Sequence, residues 1–358
     1  MIKHTVVSAV LVAASFSGAL RADDSILSKV AAATPLVANT VPGNGDENPY
    51  GVAFVPQGFP GGGSLHPGDI LVSNFNNGSN LQGTGTTIVA IHPNGSQSLF
   101  FAGSPGLGLT TALGVLRAGF VLVGNVPTKD GTFDTIQQGS LLVLDKKGRI
   151  VDTLTSSTLL DGPWDLTLID EDLFAQVFVS NVLNGTVTRL DVTTFGGHFQ
   201  SRMTRIASGY SHRGDPSALA VGPTGLALDP FTGTLYVAST EDNAIYALRD
   251  AIFTNHDQGK GAVIYTDNAH LRGPVGLALA PTGHLIATNG DAINADPNNV
   301  QVSEMVEFTP EGHFVAELPV DPTAPGGAFG LAFQIEGGHL VFTAVDDVTN
   351  QLKVWSLR

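Results

Sequence analysis

The chain repeats one short apolar pattern six times, and any fold it adopts has to use the six copies in equivalent ways. The copies read PYGVAF (49–54), ALGVL (112–116), PWDLTL (163–168), PTGLAL (223–228), PVGLAL (274–279) and AFGLAF (328–333). Their pivots are Gly51, Gly114, Asp165, Gly225, Gly276 and Gly330, spaced 51 to 63 residues apart. Each is followed by a turn and a second apolar, β-branched run: ILVSNF, FVLVGN, VFVSN, LYVAST, LIATNG and LVFTAV.

A third run alternates apolar and polar residues, as in TTIVAI (86–91) and AIYALR (244–249), which suits a half-exposed strand. A fourth follows in the first five units, from SLFF (98–101) to FVAEL (314–318). Four short strands per unit and six units predict an all-β, six-bladed β-propeller with four-stranded blades around a central channel. A TIM barrel would need helical stretches between the strands, and few are visible. The sixth unit stops at its third strand, so PLVANTV (35–41) is expected to supply the missing one and close the ring. A glycine pivot fits the crowded centre, where a missing side chain lets neighbouring backbones approach.

Composition agrees. The 43 glycines and only 14% charged residues favour a turn-dense fold of short strands. Lys3, an uncharged apolar stretch from Thr5 to Leu20 and small residues before Asp23 read as a secretory signal peptide at 1–22. The domain plan is that leader followed by one propeller over 23–358, exported to the periplasm or the extracellular space. With no cysteine, export brings no disulfide framework. Without the leader the balance is 15 Lys plus Arg against 32 Asp plus Glu, near −17. That argues against nucleic acid and anionic membranes as partners, and nothing suggests membrane insertion. A monomer that takes a small polar ligand, a peptide or a protein partner is expected.

GPTGLALDPFTGTLYVASTEDNAIYAL (222–248) and GPVGLALAPTGHLIATN (273–289) resemble the NHL repeat, with its Gly-Pro-x-Gly start, turn, and strand ending in a polar residue. Units two and three depart from the pattern at Leu113 and Asp165. The resemblance implies a propeller fold. Propellers of this kind bind proteins, nucleic acids or small molecules, and related ones are enzymes.

In such a fold the loops entering the first strand meet those joining the second and third strands at the channel mouth. The sequence places Tyr50, Trp164, Thr224 and Phe329 there from one set, and Asn74, Asn125, Asn181, Glu241, Asp242, Asn289, Asp291, Asp346 and Asp347 from the other. Aromatic platforms beside amides suit a small polar ligand; asparagines also simply cap strands and form turns. The main expectation is a non-catalytic binding or interaction module using Tyr50, Trp164, Asp165, Phe329, Asn74, Asn125, Asn181 and Asn289. The alternative is a metal-dependent propeller enzyme with Mg²⁺ or Ca²⁺ at the mouth. Comparison with gluconolactonase and senescence-marker propellers implies a lactonase-type hydrolase, but the ligand positions before the pivots hold Tyr50, Leu113, Trp164, Thr224, Val275 and Phe329, poor ligands for a hard cation. Comparison with streptogramin-lyase-like propellers implies a histidine base, for which His212 and His270 are the candidates. Asn294, Asp296 and Asn298 have part of the spacing of a calcium loop, without its glycine and glutamate.

Overall fold

The first strands of the six units are Glu47–Phe54, Leu109–Leu116, Pro163–Glu171, Pro223–Asp229, Pro274–Leu279 and Ala328–Glu336, and each opens a four-stranded antiparallel sheet. They come from a computed structural model that describes residues 24–295 and 302–357. The signal peptide expected at 1–22 lies outside the described residues. Each first strand packs against those of the next and previous blades, and the sixth returns to the first. The protein is a six-bladed β-propeller. Leu36–Asn39 pairs antiparallel with Gln351–Leu357, Leu36 opposite Val354 and Asn39 opposite Gln351, so an N-terminal strand completes the last blade.

The pivot is a break in the ladder. Between first and second strands the register shifts at Pro49/Val52, Leu109/Leu113, Pro163/Leu166, Pro223/Leu226, Pro274/Leu277 and Ala328/Leu331. The bulge turns the pivot toward the next blade. A Cβ added at Gly330 would stand 2.2 Å from the carbonyl oxygen of Tyr50 in the neighbouring blade, and one at Gly276 would stand 2.2 Å from that of Phe329. Glycine is required there because backbone occupies the space. Blade two differs from the sequence expectation. Its break spans one more residue, which puts Ala112 at the pivot and leaves Gly114 inside the ladder opposite Leu122.

Hydroxyls join the blades at this level. Ser73 accepts the N–H of Gly51 at 3.0 Å and donates to the carbonyl of Thr110 in blade two at 2.8 Å. Ser180 does the same between Asp165 and Thr224, and Thr288 between Gly276 and Phe329. Where the equivalent second-strand residue has no hydroxyl, at Gly124 and Ala238, the first strand supplies one: Thr110 donates to Pro163 and Thr224 to Pro274. In blade six the place is taken by Val345, and the junction to blade one is made by the closing segment, through Thr40 N–H to the Asn350 carbonyl and Asn48 N–H to Asn350 Oδ1.

Two elements were not foreseen in the sequence. A short helix, Ile26–Ala32, buries Ile26, Leu27 and Val30 against blades five and six. Its first amides, on Ile26 and Leu27, each donate to the buried Glu307 carboxylate at 2.9 Å. A hairpin, Arg213–Asp215 with Leu219–Val221, rises between blades three and four. Among the described residues no helix is long and apolar enough to cross a membrane.

The junctions set two expectations. Ser180→Ala leaves a buried N–H and a buried carbonyl without their partner and should cost about 1–3 kcal/mol of unfolding free energy, read by urea denaturation. A chain starting at Val41 should unfold at lower urea than the mature protein; an identical midpoint would refute closure by the N-terminal strand.

Candidate functional site

The pivots divide the channel in two. On the mouth side lies a cavity of about 400 Å³, and on the far side one of about 670 Å³. The mouth cavity is floored by aromatics. Tyr50 stacks on Phe75 with centroids 4.8 Å apart, Phe329 tilts against Tyr50 at 4.3 Å, and Trp164 meets both Tyr50 and Phe75 edge-on. These rings pack on each other as a plug, leaving Tyr50 5% and Trp164 1% exposed. Burial, then the charge of Asp347, raises the Tyr50 hydroxyl above the ordinary tyrosine range.

Polar residues ring the wall above that floor: Asn48, Asn76, Asn80, Asp291 and Asp347, with Ser217 of the extra hairpin. Asn48, Asn80 and Asp291 sit at φ of 60°, 57° and 55°, a left-handed backbone tolerated by these residue types and concentrated where loops converge. The amide oxygens of Asn48 and Asn76 and Oδ1 of Asp291 are buried without a hydrogen-bond partner. Asn74 and Asn181 also carry such an oxygen, inside their blades and off this cavity.

The two carboxyls are electrostatically unusual. Burial, reinforced by the charge of Glu304, pushes Asp291 up to about 7, against a 2.8 Å hydrogen bond from the Gly326 amide that favours ionisation. Burial, reinforced by Glu47 and Asp346, pushes Asp347 up to about 7. Among the residues lining this cavity none is cationic, so neither aspartate faces a counter-ion across it.

The sequence candidates sort as follows. Tyr50, Trp164 and Phe329 are brought together, as a floor. Asn74, Asn125, Asn181 and Asn289 stand at the ends of second strands and do not line the cavity. Their amides tie each blade to the chain entering it: Asn125 accepts the N–H of Gly108 at 2.8 Å, Asn289 that of Arg272 at 2.9 Å, and Asn74 and Asn181 donate to the carbonyls of Thr40 and Leu159. Asp165 lies on the far side of the plug. His212 is exposed and bonds the Tyr210 carbonyl at 3.0 Å; His270 donates to Asp267 at 2.6 Å and stacks on Phe314. Neither lines the cavity. Asn294 points its amide nitrogen at the carbonyls of Asn268 and Leu271, while Asp296 and Asn298 lie outside the described residues. Glu241 and Asp242 are paired with Arg213 and Lys260. Sequence reasoning placed Asp291 and Asp347 in the mouth loops without singling them out, and missed Asn48, Asn76 and Asn80. Their one signal is an Asn or Asp at the step where the chain enters or leaves a first or second strand.

No protein-family model matches the chain, and no curated protein does. Solved structures match in fold. A gluconolactonase from Xanthomonas campestris superposes with a TM-score of 0.54 at 14% identity, over 92% of this chain and 92% of that one. An oxidoreductase of glucose dehydrogenase type from Thermus thermophilus gives 0.53 at 14%, over 90% and 100%. The calcium-binding protein regucalcin from Agrobacterium tumefaciens gives 0.53 at 14%, over 89% and 93%. These likenesses show the six-bladed propeller and leave the NHL name without confirmation.

The expectation of a non-catalytic binding module is corrected here. The neighbours are propellers of the gluconolactonase and regucalcin kind, the comparison that stood as the alternative. The physical reason lies in the site: the aromatic surface a binding module would present is packed against itself, and the wall above it carries two carboxyls, one of which, Asp291, has an unpaired oxygen.

Those carboxyls make a test by pH. Each holds its proton more tightly in the folded chain than at its ordinary value of 3.8, so folding stability falls as the pH rises from about 4 to 7. Asp291→Asn and Asp347→Asn should each raise the urea midpoint at pH 8, with the gain vanishing toward pH 4. A gain that is the same at both pH values would contradict the assignment.

Proposed function

We propose that the protein is a lactonase-type hydrolase that opens a neutral, polyhydroxylated cyclic ester at the channel mouth. The observation that carries this reading is the pair Asp291 and Asp347, two carboxyls with pKa near 7 on one cavity. At neutral pH each carboxyl stands close to half-protonated on its own account, so one can carry a proton while the other is ionised, which is what acid and base catalysis needs.

Asp291, steadied by the Gly326 amide and with Oδ1 free, serves as base and takes a proton from water as the water oxygen bonds to the ester carbon. Asp347, whose proton is retained by burial beside Glu47 and Asp346, gives it to the ring oxygen as the carbon–oxygen bond breaks. The product is the open hydroxy acid; Asp291 then releases its proton to water and Asp347 takes one from it, which restores the starting state. Substrate hydroxyls supply donors for the unpaired Asn48 and Asn76 oxygens, and an uncharged substrate suits a wall without cations.

A divalent cation fits the same donors. Among the described residues no group of three or more His, Cys, Asp or Glu gathers around one point, so an ion would rest on the amide oxygens of Asn48 and Asn76, in place of substrate hydroxyls, and leave Asp291 free as the base. These are hard oxygen ligands of the kind calcium and magnesium take. Bound there, the ion would polarise the ester carbonyl. The leader at 1–22 and the Gly-Pro-x-Gly starts of blades four and five support an exported enzyme of NHL-type repeat sequence.

With glucono-δ-lactone as substrate and proton release as readout, Asp291→Asn and Asp347→Asn should each lower kcat/KM by about 10²-fold or more. The wild-type profile should break near pH 7. Full activity in either variant would sink the reading. Calcium should raise the melting temperature of the wild type and not of Asn48→Ala; equal shifts would remove the ion from this site.

A further inference from the structure

Blade one carries a chain of three side chains that the mouth chemistry leaves unused. Asp69 lies in the turn before the strand Ile70–Asn76, His92 just after Thr87–Ile91, and Ser98 on the outer strand Gln97–Ala102. The ladder brings them together. Ile70 faces Ile91, so Asp69 and His92 form the next pair, and Ala90 faces Ser98, which puts Ser98 one diagonal step from His92. Oδ1 of Asp69 is 2.8 Å from His92 Nδ1, and His92 Nε2 is 3.0 Å from Ser98 Oγ.

Exposure grows along this chain. The Asp69 side chain is 2% exposed and that of His92 26%, and Ser98 is half-buried. Oδ2 of Asp69 accepts the His66 N–H at 2.8 Å, with the exposed His66 ring 3.7 Å away, which fixes the carboxylate and leaves Oδ1 to the imidazole of His92. A carboxylate only accepts, so Nδ1 carries the ring proton and the bare Nε2 accepts from the Ser98 hydroxyl. A base in contact with the serine, its tautomer held by a buried carboxylate, is what turns a serine into a nucleophile.

The propeller itself does not call for this chain. At the place of His92 the other blades have Asp145, Asp191, Arg249, Thr309 and Ser356, and they form their sheets without it. Ser98 also lies on the edge strand of its sheet, whose outward N–H groups are free of the ladder and at hand for an oxygen that becomes negative.

We propose that Ser98 is an activated nucleophile, with His92 as its base and Asp69 as the residue that positions His92, and that it forms a covalent acyl-enzyme with small neutral esters. Ser98 Oγ bonds to the ester carbon as its proton passes to His92 Nε2. The bond from that carbon to the alcohol oxygen breaks, and His92 returns the proton to the departing alcohol. Water then repeats the sequence, releasing the acid and restoring the Ser98 hydroxyl. The strand Ile70–Asn76 separates this site from the mouth by seven residues, about 23 Å, so the two do not share groups.

The test is labelling of the mature protein with diisopropyl fluorophosphate, in which a bond from phosphorus to Ser98 Oγ replaces the one to fluorine and the serine proton leaves with fluoride. Mass spectrometry should find one adduct per chain, on Ser98, and none in Ser98→Ala. His92→Gln, which keeps the size of the side chain and removes the base, should slow labelling by about 10²-fold or more. Free imidazole should restore part of the rate in His92→Ala, a rescue that a purely structural histidine would not show. In Asp69→Asn the His66 N–H holds the amide oxygen and the amide nitrogen faces His92. The nitrogen-15 spectrum of the His92 ring should then move its proton from Nδ1 to Nε2, and labelling should slow with it. No adduct on the wild type, an adduct on another residue, or Ser98 labelled as fast in His92→Gln as in the wild type would overturn the proposal. The readout is a mass and needs no lactone turnover, so it stands or falls apart from the mouth assignment.

Discussion

The inner ring of hydroxyl-to-carbonyl hydrogen bonds is the interaction on which the rest of this structure depends. Blades of a propeller are separate sheets, and apolar packing between them sets distance but not register. Here a serine or threonine at each of five junctions takes the pivot amide of its own blade or the space beside it and donates to a carbonyl of the next. That bond can form only when the bulge has turned the pivot toward the neighbour, and the bulge is tolerated because glycine leaves room there for the neighbour's backbone and the bridging hydroxyl. The sixth junction has Val345 in place of a hydroxyl, and it is the one closed by the N-terminal segment. The gap in one device and the presence of the other fall at the same place, which is why closure belongs to the strand Leu36–Asn39.

Much of this was legible in the sequence, because blade geometry is written in short-range pattern. Glycine at the crowded centre of four blades and a missing outer strand in the last unit are local statements, and both held; the third strands, whose alternation read as half-exposed, are buried on both faces because neighbouring blades cover them, as at Thr87–Ile91 and Ser303–Phe308. Blade two shows the limit. Gly114 looked like its pivot because it occupied the pattern's place, but an additional residue in the bulge moves Ala112 there, and the spacing from one unit to the next cannot register a one-residue shift. The helix at Ile26–Ala32 was illegible for another reason. Its stability comes from Glu307, some 280 residues away, which accepts its first amides, and no local propensity announces such a partner.

The mouth was legible as a place and not as a site. Sequence order told which loops converge there. It could not tell that Tyr50, Phe75, Trp164 and Phe329 would find one another before any ligand did, since four rings from three blades are adjacent only after the ring has closed. Nor could it separate asparagines that hold strand ends from those that face the cavity. Asn74 and Asn48 look alike in sequence and both carry a buried amide oxygen without a partner; they differ in that Asn74 lies inside its blade, donating to the Thr40 carbonyl, while Asn48 lines the cavity. Burial without a partner is a tertiary property.

The plug then decides what each half of the channel can do. Above it the walls are loop residues, polar and in part held in left-handed backbone, so carboxyls gather with no cation on the cavity wall and a pKa near neutrality comes with a loss of stability. Below it the walls are the first strands, each at the edge of its sheet, so backbone groups share the lining with side chains packed between the blades. A carboxyl enters the lower half by replacing a pivot, in blade three with Asp165. Its carboxyl is tolerated because the next blade offers an amide at Leu226 and because it can stay protonated. A pivot freed from glycine in one blade of a ring held together by its neighbours' pivots is thus the least disruptive way for this fold to place a carboxyl deep in the channel.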